Sequence, residues 1–184
     1  PLFMVLKTSK SIIENVVQEN LTKRNGFGKI VWKEICAIQA KHNAQLYGNP
    51  TAWWNSFISL EFINYHFGHR AGKNLKPILL IWDDFAPHFC LEVVKLADWL
   101  NIMLEKVPPG FTWICQPADI AWMKPFKANV RQFWVSHLRE SLKNYDRQNG
   151  AFKLCAPSRG DVVKWAVDAW DNMAIETIIR GFES

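Results

Sequence analysis

The residues best placed to do chemistry are carboxylates standing at the ends of apolar runs. In ILLIWDDFAPH, residues 78–88, five large apolar side chains give way to Asp83 and Asp84, and His88 follows five positions after Asp83. An ionised carboxylate beside a buried run is costly unless a proton donor, a cation or water compensates it. A third carboxylate, Asp119, stands in ICQPADIAWMKPF. Converging oxygen ligands of this kind suit a hard divalent cation that retains several of its waters. Two such ions about 3.5–4 Å apart can activate a water and stabilise the leaving oxygen in phosphodiester cleavage.

The elements around these acids decide whether they can meet. PILLIWD reads as a strand without alternation, so both faces are expected to be covered, as in a parallel or mixed sheet with helices on each side. Consecutive strand side chains face opposite ways, so one of the two acids points into a given site. One of Asp83 and Asp84 is expected to enter the site and the other to start the turn that follows, an ordinary place for Asp ahead of Pro. FCLEVVKLADWL reads as a helix and NIMLEKVPP as a strand stopped by Pro108 and Pro109. That helix and strand can return the chain to the same end of the sheet, where sites of α/β proteins form.

Asp119 has a second reading, as N-cap of a long helix from about Ile120 to Asn144, where the helix dipole favours a negative charge by roughly 0.3–1 kcal/mol. Lys124, Lys127 and Arg131 fall at i, i+3 and i+7 on that helix. They form either a short basic ridge that follows a phosphate backbone or a solvated face. His88 either orients a ligand or water beside a metal or simply meets solvent at a helix start. His66-x-x-His69 lacks acidic or cysteine partners and is a weak metal motif.

Elsewhere, PLFMVLK reads as a buried strand and Asn25-Gly26-Phe27-Gly28 as a turn. IVWKEICAIQAKH fits a helix, or a strand followed by a loop. Asn49-Pro50 is expected to open a largely buried helix, with Asn49 as N-cap and Pro50 at its first position, running through TAWWNSFISLEFINYHF. Residues 68–76 form a basic connection. Ser158-Arg159-Gly160-Asp161 resembles a capping box opening a final amphipathic helix. The predicted order β, α, β, α, β, α, α gives an α/β sandwich.

The chain has 184 residues, 49% hydrophobic, with ten tryptophans and twelve phenylalanines, which indicates a packed globular domain whose tryptophans are mostly core. The net charge of +5 suits an anionic partner without specifying one. Four cysteines without a CxxC pair argue against a zinc ribbon and a secreted disulfide scaffold, and suggest a reducing compartment. No apolar run reaches the roughly 18–20 residues that span a bilayer, and the N-terminus has no signal-peptide pattern. The missing initiator methionine suggests a piece of a longer chain. Neither GxSxG, a P-loop nor GxGxxG occurs, so serine hydrolases and nucleotide-binding enzymes built on those motifs are set aside.

Taken together, ILLIWDDFAPH and VPPGFTWICQPADIAWMKPFK resemble the catalytic domain of DDE-superfamily endonucleases of the pogo/Tigger transposase type. More weakly, PLFMVLK, the Trp53–Trp54 segment and VVKWAVDAWDNMAIETIIRGF resemble its flanking parts. The resemblance places the second catalytic acid on Asp83, the third on Asp119 and a histidine on His88. It implies an RNase H-like mixed central sheet flanked by helices, truncated at the N-terminus. Residues 1–184 then form one partial domain, with a helical tail from about 157 to 184. It implies Mg²⁺ or Mn²⁺ in a two-metal site, DNA as partner, no membrane, a nuclear location, and a homodimer among the allowed assemblies. The first acid of the family would lie on a strand ahead of Pro1. Glu14, Glu19 and Glu34 end no convincing strand, so this chain would carry two of three acids and cut poorly alone. The alternative is a domesticated, inactive module that binds nucleic acid or protein.

Overall fold

The computed structural model describes residues 1–145 and 150–183; residues 146–149, within the polar stretch 145–150, and Ser184 lie outside the described residues. The chain divides into two compact units, one of residues 1–39 and 44–116, the other of residues 40–43 and 117–184. The described part is a mixed α/β protein.

The first unit holds the four strands found among the described residues. β1 (Leu2–Lys7) pairs in parallel with β2 (Ala44–Asn49), from Leu2 opposite Ala44 to Lys7 opposite Asn49. Two helices, α1 (Glu14–Lys23) and α2 (Lys29–Lys41), make the crossover. The turn between them requires left-handed backbone at Asn25 (φ 50°) and Gly26 (φ 85°). At Gly26 a side chain is excluded twice over, because a Cβ there would lie 1.9 Å from the Gly48 carbonyl oxygen. β2 was not foreseen, since AQLYGN is short and carries no alternation. Ala44, Leu46, Tyr47 and Gly48 within it are nevertheless buried.

β3 (Ile78–Trp82) pairs in parallel with β4 (Ile102–Lys106) across α4 (Leu91–Trp99). The strands therefore form two separate two-stranded ladders, where a single sheet was expected. The expectation that β3 is covered on both faces is corrected as well. Leu79 and Met103 sit opposite each other in the register and are each 54% exposed. The covered face is the other one. There Ile78, Leu80, Trp82 and Leu104 pack on a core of Ile63, Val93, Ala97, Leu100 and Ile102.

The helix expected from Asn49 begins later, as α3 (Ser56–Phe67), and its N-cap is Asn55, whose side chain accepts from the Ile58 N–H at 2.9 Å. The reason is local. Asn49 ends β2 and uses its side chain in a turn, accepting from Thr51 N–H and donating to the Trp53 carbonyl. Trp53 and Trp54 thus lie ahead of the helix. α3 joins the two ladders: its Phe62 ring lies 5.4 Å from Phe3 of β1 and 5.7 Å from Trp82 of β3. His66 is held among Phe62, Tyr65 and Phe67. The tryptophans are not uniformly core, since Trp53, Trp99 and Trp113 are exposed.

After the short helix α5 (Thr112–Cys115), the second unit opens with a π-helical turn, Ala118–Trp122, that runs into α6 (Met123–Lys143). The Met123 N–H donates to the Ala118 carbonyl five residues back. Pro125 accounts for the widening: it has no N–H for the Ala121 carbonyl and its ring crowds that carbonyl. α7 (Arg159–Asp171) starts with the expected capping box between Ser158 and Asp161 and supplies buried Val163, Ala166, Val167 and Ala169. α6 packs on α7 through Trp134 against Trp165 and through Asn129, which donates to the Ala169 carbonyl. α8 (Ile175–Arg180) is tied to the π-turn by the Trp122 indole N–H, which donates to the Ile178 carbonyl at 3.1 Å.

Two outcomes test this account. Gly26→Ala should destabilise the protein by about 3 kcal/mol or more in urea unfolding, combining backbone strain with a clash on Gly48. Burial holds the His66 pKa below its ordinary value, so the unfolded chain takes up the proton first as pH falls below about 6.5. Stability should therefore drop across that window, and His66→Phe should flatten the drop.

Candidate functional site

Asp83 and Asp84 follow β3 directly, at its carboxyl end, and their side chains part. Asp84 lies at the centre of a tight turn closed by the Phe85 N–H, which donates to the Asp83 carbonyl at 2.8 Å. Its carboxylate meets Lys106 Nζ at 2.6 Å. The register explains the pair: Lys106 is opposite Trp82 at the end of the neighbouring strand. The same ammonium lies 4.7 Å from the centre of the Phe89 ring. One of the two acids is thus neutralised within the protein.

Asp83 turns towards His88, which sits in a 3-10 turn, Ala86–His88. His88 Nε2 lies 3.3 Å from Asp83 Oδ1, close enough to feel the charge but out of line for a hydrogen bond. That oxygen is buried and has no hydrogen-bond donor. His88 itself is 9% exposed and stacks on Trp82 with ring centres 4.3 Å apart. Burial lowers its pKa, and the Asp83 carboxylate opposes that shift without overcoming it. The imidazole is therefore neutral at pH 7.

A buried relay fixes this ring from behind. Ser59, fully buried on α3, accepts the Trp54 indole N–H at 2.9 Å and lies 3.1 Å from His88 Nδ1. A neutral imidazole carries one proton, and the Asp83 charge favours having it on Nε2. The Ser59 hydroxyl proton has two acceptors within reach, Nδ1 and the Asn55 carbonyl 3.3 Å away. Sequence reasoning gave Ser59 and Trp54 no role at the site, because their contact with His88 spans distant parts of the chain. Trp53, Trp54, Trp82, Phe85, Asp83 and His88 together line a cavity of about 350 Å³.

Asp119 belongs to the other unit. It is exposed and lies in the first turn of the π-helical segment. It is not an N-cap: Pro117 holds that position, and no side chain caps the segment. Lys124, Lys127 and Arg131 are all exposed on α6. None has a carboxylate partner among the described residues. His66 is occupied by its aromatic neighbours, and His69 is exposed. No group of three His, Cys, Asp or Glu residues gathers to hold a metal among the described residues. The donor chemistry of Asp83 nevertheless fits a hard cation, since its free oxygen is a carboxylate and its neighbour is neutral.

A family model for the DDE superfamily endonucleases matches residues 31–182, and the chain belongs to that family. It is 24% identical over 132 residues, 71% of its length, to a human protein described as a pogo transposable element with KRAB domain. The chain spans about 21% of that relative. No solved structure matches. Among the described residues no helix is long and apolar enough to cross a membrane.

Ser59→Ala removes the acceptor of one buried N–H and the hydroxyl beside one buried ring nitrogen. It should cost about 1–3 kcal/mol in chemical denaturation and move the Trp54 indole and His88 ring resonances together in NMR spectra. A Trp54 indole resonance left in place would break the relay.

Proposed function

We propose that this chain is part of a metal-dependent DNA endonuclease and strand-transfer domain of RNase H-like architecture. Residues 1–184 would form one partial domain with a helical tail from about 157 to 184. The observation that carries the reading is the buried oxygen of Asp83 without a donor, at the carboxyl end of β3 and beside a neutral histidine, in a chain of the DDE family. That oxygen receives no hydrogen bond, the rest of the carboxylate is open to solvent, and a carboxylate so placed is suited to a cation.

In this reading Asp83 and Asp119 are the metal ligands and catalytic acids. Mg²⁺ or Mn²⁺, when bound, supplies Lewis-acid polarisation of the scissile phosphate and an activated water. His88 stands against the Asp83 carboxylate, and its own orientation comes from Ser59. Asp84, already paired with Lys106, shapes the turn. Lys124, Lys127 and Arg131 contact successive phosphates of the DNA backbone as point charges. Family membership further supports a nuclear protein, and a homodimer is the assembly to test first.

The test is titration with Mn²⁺, read by paramagnetic broadening of NMR resonances near Asp83 and Asp119. Broadening at both positions, abolished by either Asp83→Asn or Asp119→Asn, is the expected result. Full retention of the Asp83 signal loss in Asp119→Asn would refute the shared site. Separately, replacing Lys124, Lys127 and Arg131 by alanine should reduce the salt dependence of duplex binding by about 0.9 in slope for each phosphate no longer neutralised.

A further inference from the structure

The cavity beside Asp83 has a wall that the metal reading leaves unused. Three of its rings are engaged with His88: Trp82 stacks on it, and Trp54 and Phe85 meet it edge-on. Trp53 has no aromatic partner among the described residues and is 74% exposed. A large apolar ring left in water beside a cavity is the less common arrangement for tryptophan.

Its presentation is built into the chain. The Asn49 side chain donates to the Trp53 carbonyl at 2.6 Å and accepts from both the N–H and the hydroxyl of Thr51. The Thr51 hydroxyl oxygen in turn accepts the Trp53 N–H at 3.3 Å. Between them Ala52 is held at φ 59°, a left-handed conformation that alanine rarely adopts. Strain of this kind persists where surrounding structure over-determines it, and it collects at binding sites. The turn that displaced the start of α3 is thus the device that holds Trp53 at the cavity mouth.

The occupant follows from the lining. Four aromatic side chains form the walls, and the charged group among the lining residues is the Asp83 carboxylate. Among the described residues no lysine or arginine lines this space to receive a phosphate, whereas a flat heteroaromatic ring gains contact area against the aromatic walls. The volume of about 350 Å³ admits one ring system with its sugar and lies at the small end of ligand pockets. We infer that this cavity takes one unstacked nucleobase of a bound DNA strand, with the Trp53 indole lying on its face. The inference rests on the DNA reading for the strand that delivers the base, and on the pocket alone for the base itself. A base held there leaves its neighbouring phosphate outside the aromatic walls.

Two probes separate these dependences. The first is adenosine, which carries no phosphate, titrated against the whole chain while the tryptophan indole resonances are followed by NMR. Shifts of the Trp53 and Trp54 signals are expected, with binding about tenfold weaker or more in Trp53→Ala and largely restored in Trp53→Phe. Ribose should produce no shift. Absence of shifts at millimolar adenosine, or equal binding by Trp53→Ala, overturns the inference whatever DNA does.

The second probe is an oligonucleotide with one unpaired 2-aminopurine, read by fluorescence quenching and by anisotropy. Trp53→Ala should lose the quenching while the salt slope of DNA binding stays unchanged. Quenching that persists in Trp53→Ala also overturns the inference. Failure of the oligonucleotide to bind, with adenosine binding intact, would sink the DNA reading and leave the pocket standing.

Discussion

Burial of one neutral imidazole organises the first unit, because His88 is where the segment ahead of α3, the end of β3 and the following 3-10 turn meet. Its ring stacks on Trp82 and takes edge contacts from Trp54 and Phe85, while Ser59 faces Nδ1 from α3. A charged imidazole there would lose its hydration without a hydrogen-bonded counterion, so burial keeps it neutral. Neutrality has a consequence for Asp83. The carboxylate stands beside a dipole and not a cation, and its buried oxygen remains without a donor. Had His88 been protonated, the pair would have closed on itself.

The two adjacent acids show how strand geometry divides labour. Side chains at the end of a strand alternate in direction, and the parallel register with β4 brings Lys106 to one side only. Asp84 takes that lysine, in a partly exposed pair of the kind worth at most about 1 kcal/mol. Asp83, on the other side, faces aromatic rings and the imidazole. Asp83, half-exposed and 3.3 Å from the His88 ring, is left without a cationic partner among the described residues at the carboxyl end of a strand, which is where α/β proteins place their sites.

A comparable local device acts in the second unit. Pro125 prevents the ordinary helical hydrogen bond to the Ala121 carbonyl, and the chain widens into a π-helical turn over Ala118–Trp122. Asp119 lies on that turn, in a backbone form found often at functional positions. Downstream, α6 buries none of its residues fully and exposes Lys124, Lys127 and Arg131. One side of this long helix is spent on α7 and the rest remains for a charged surface.

Legible in the sequence were the apolar run ending in Asp83, the helix and strand that follow it, the long helix after Asp119 and the capping box at Ser158. Each depends on neighbours within a few residues: unbroken hydrophobicity, a proline stop, or a serine and an aspartate three apart. Family membership was legible for the same reason, since the blocks around Asp83 and Asp119 are contiguous. The rest came from packing across the fold. β2 is a strand because β1 and Phe27 cover it, and nothing in AQLYGN announces that. α3 starts at Ser56 because Asn49 is consumed by a turn, although Asn-Pro is by itself a sound helix start. The open face of β3 follows from which side α3 and α4 cover. The pairing of Asp84 with Lys106, and of His88 with Ser59, joins residues distant in the chain. Such pairings arise from packing and strand register, which no local pattern encodes.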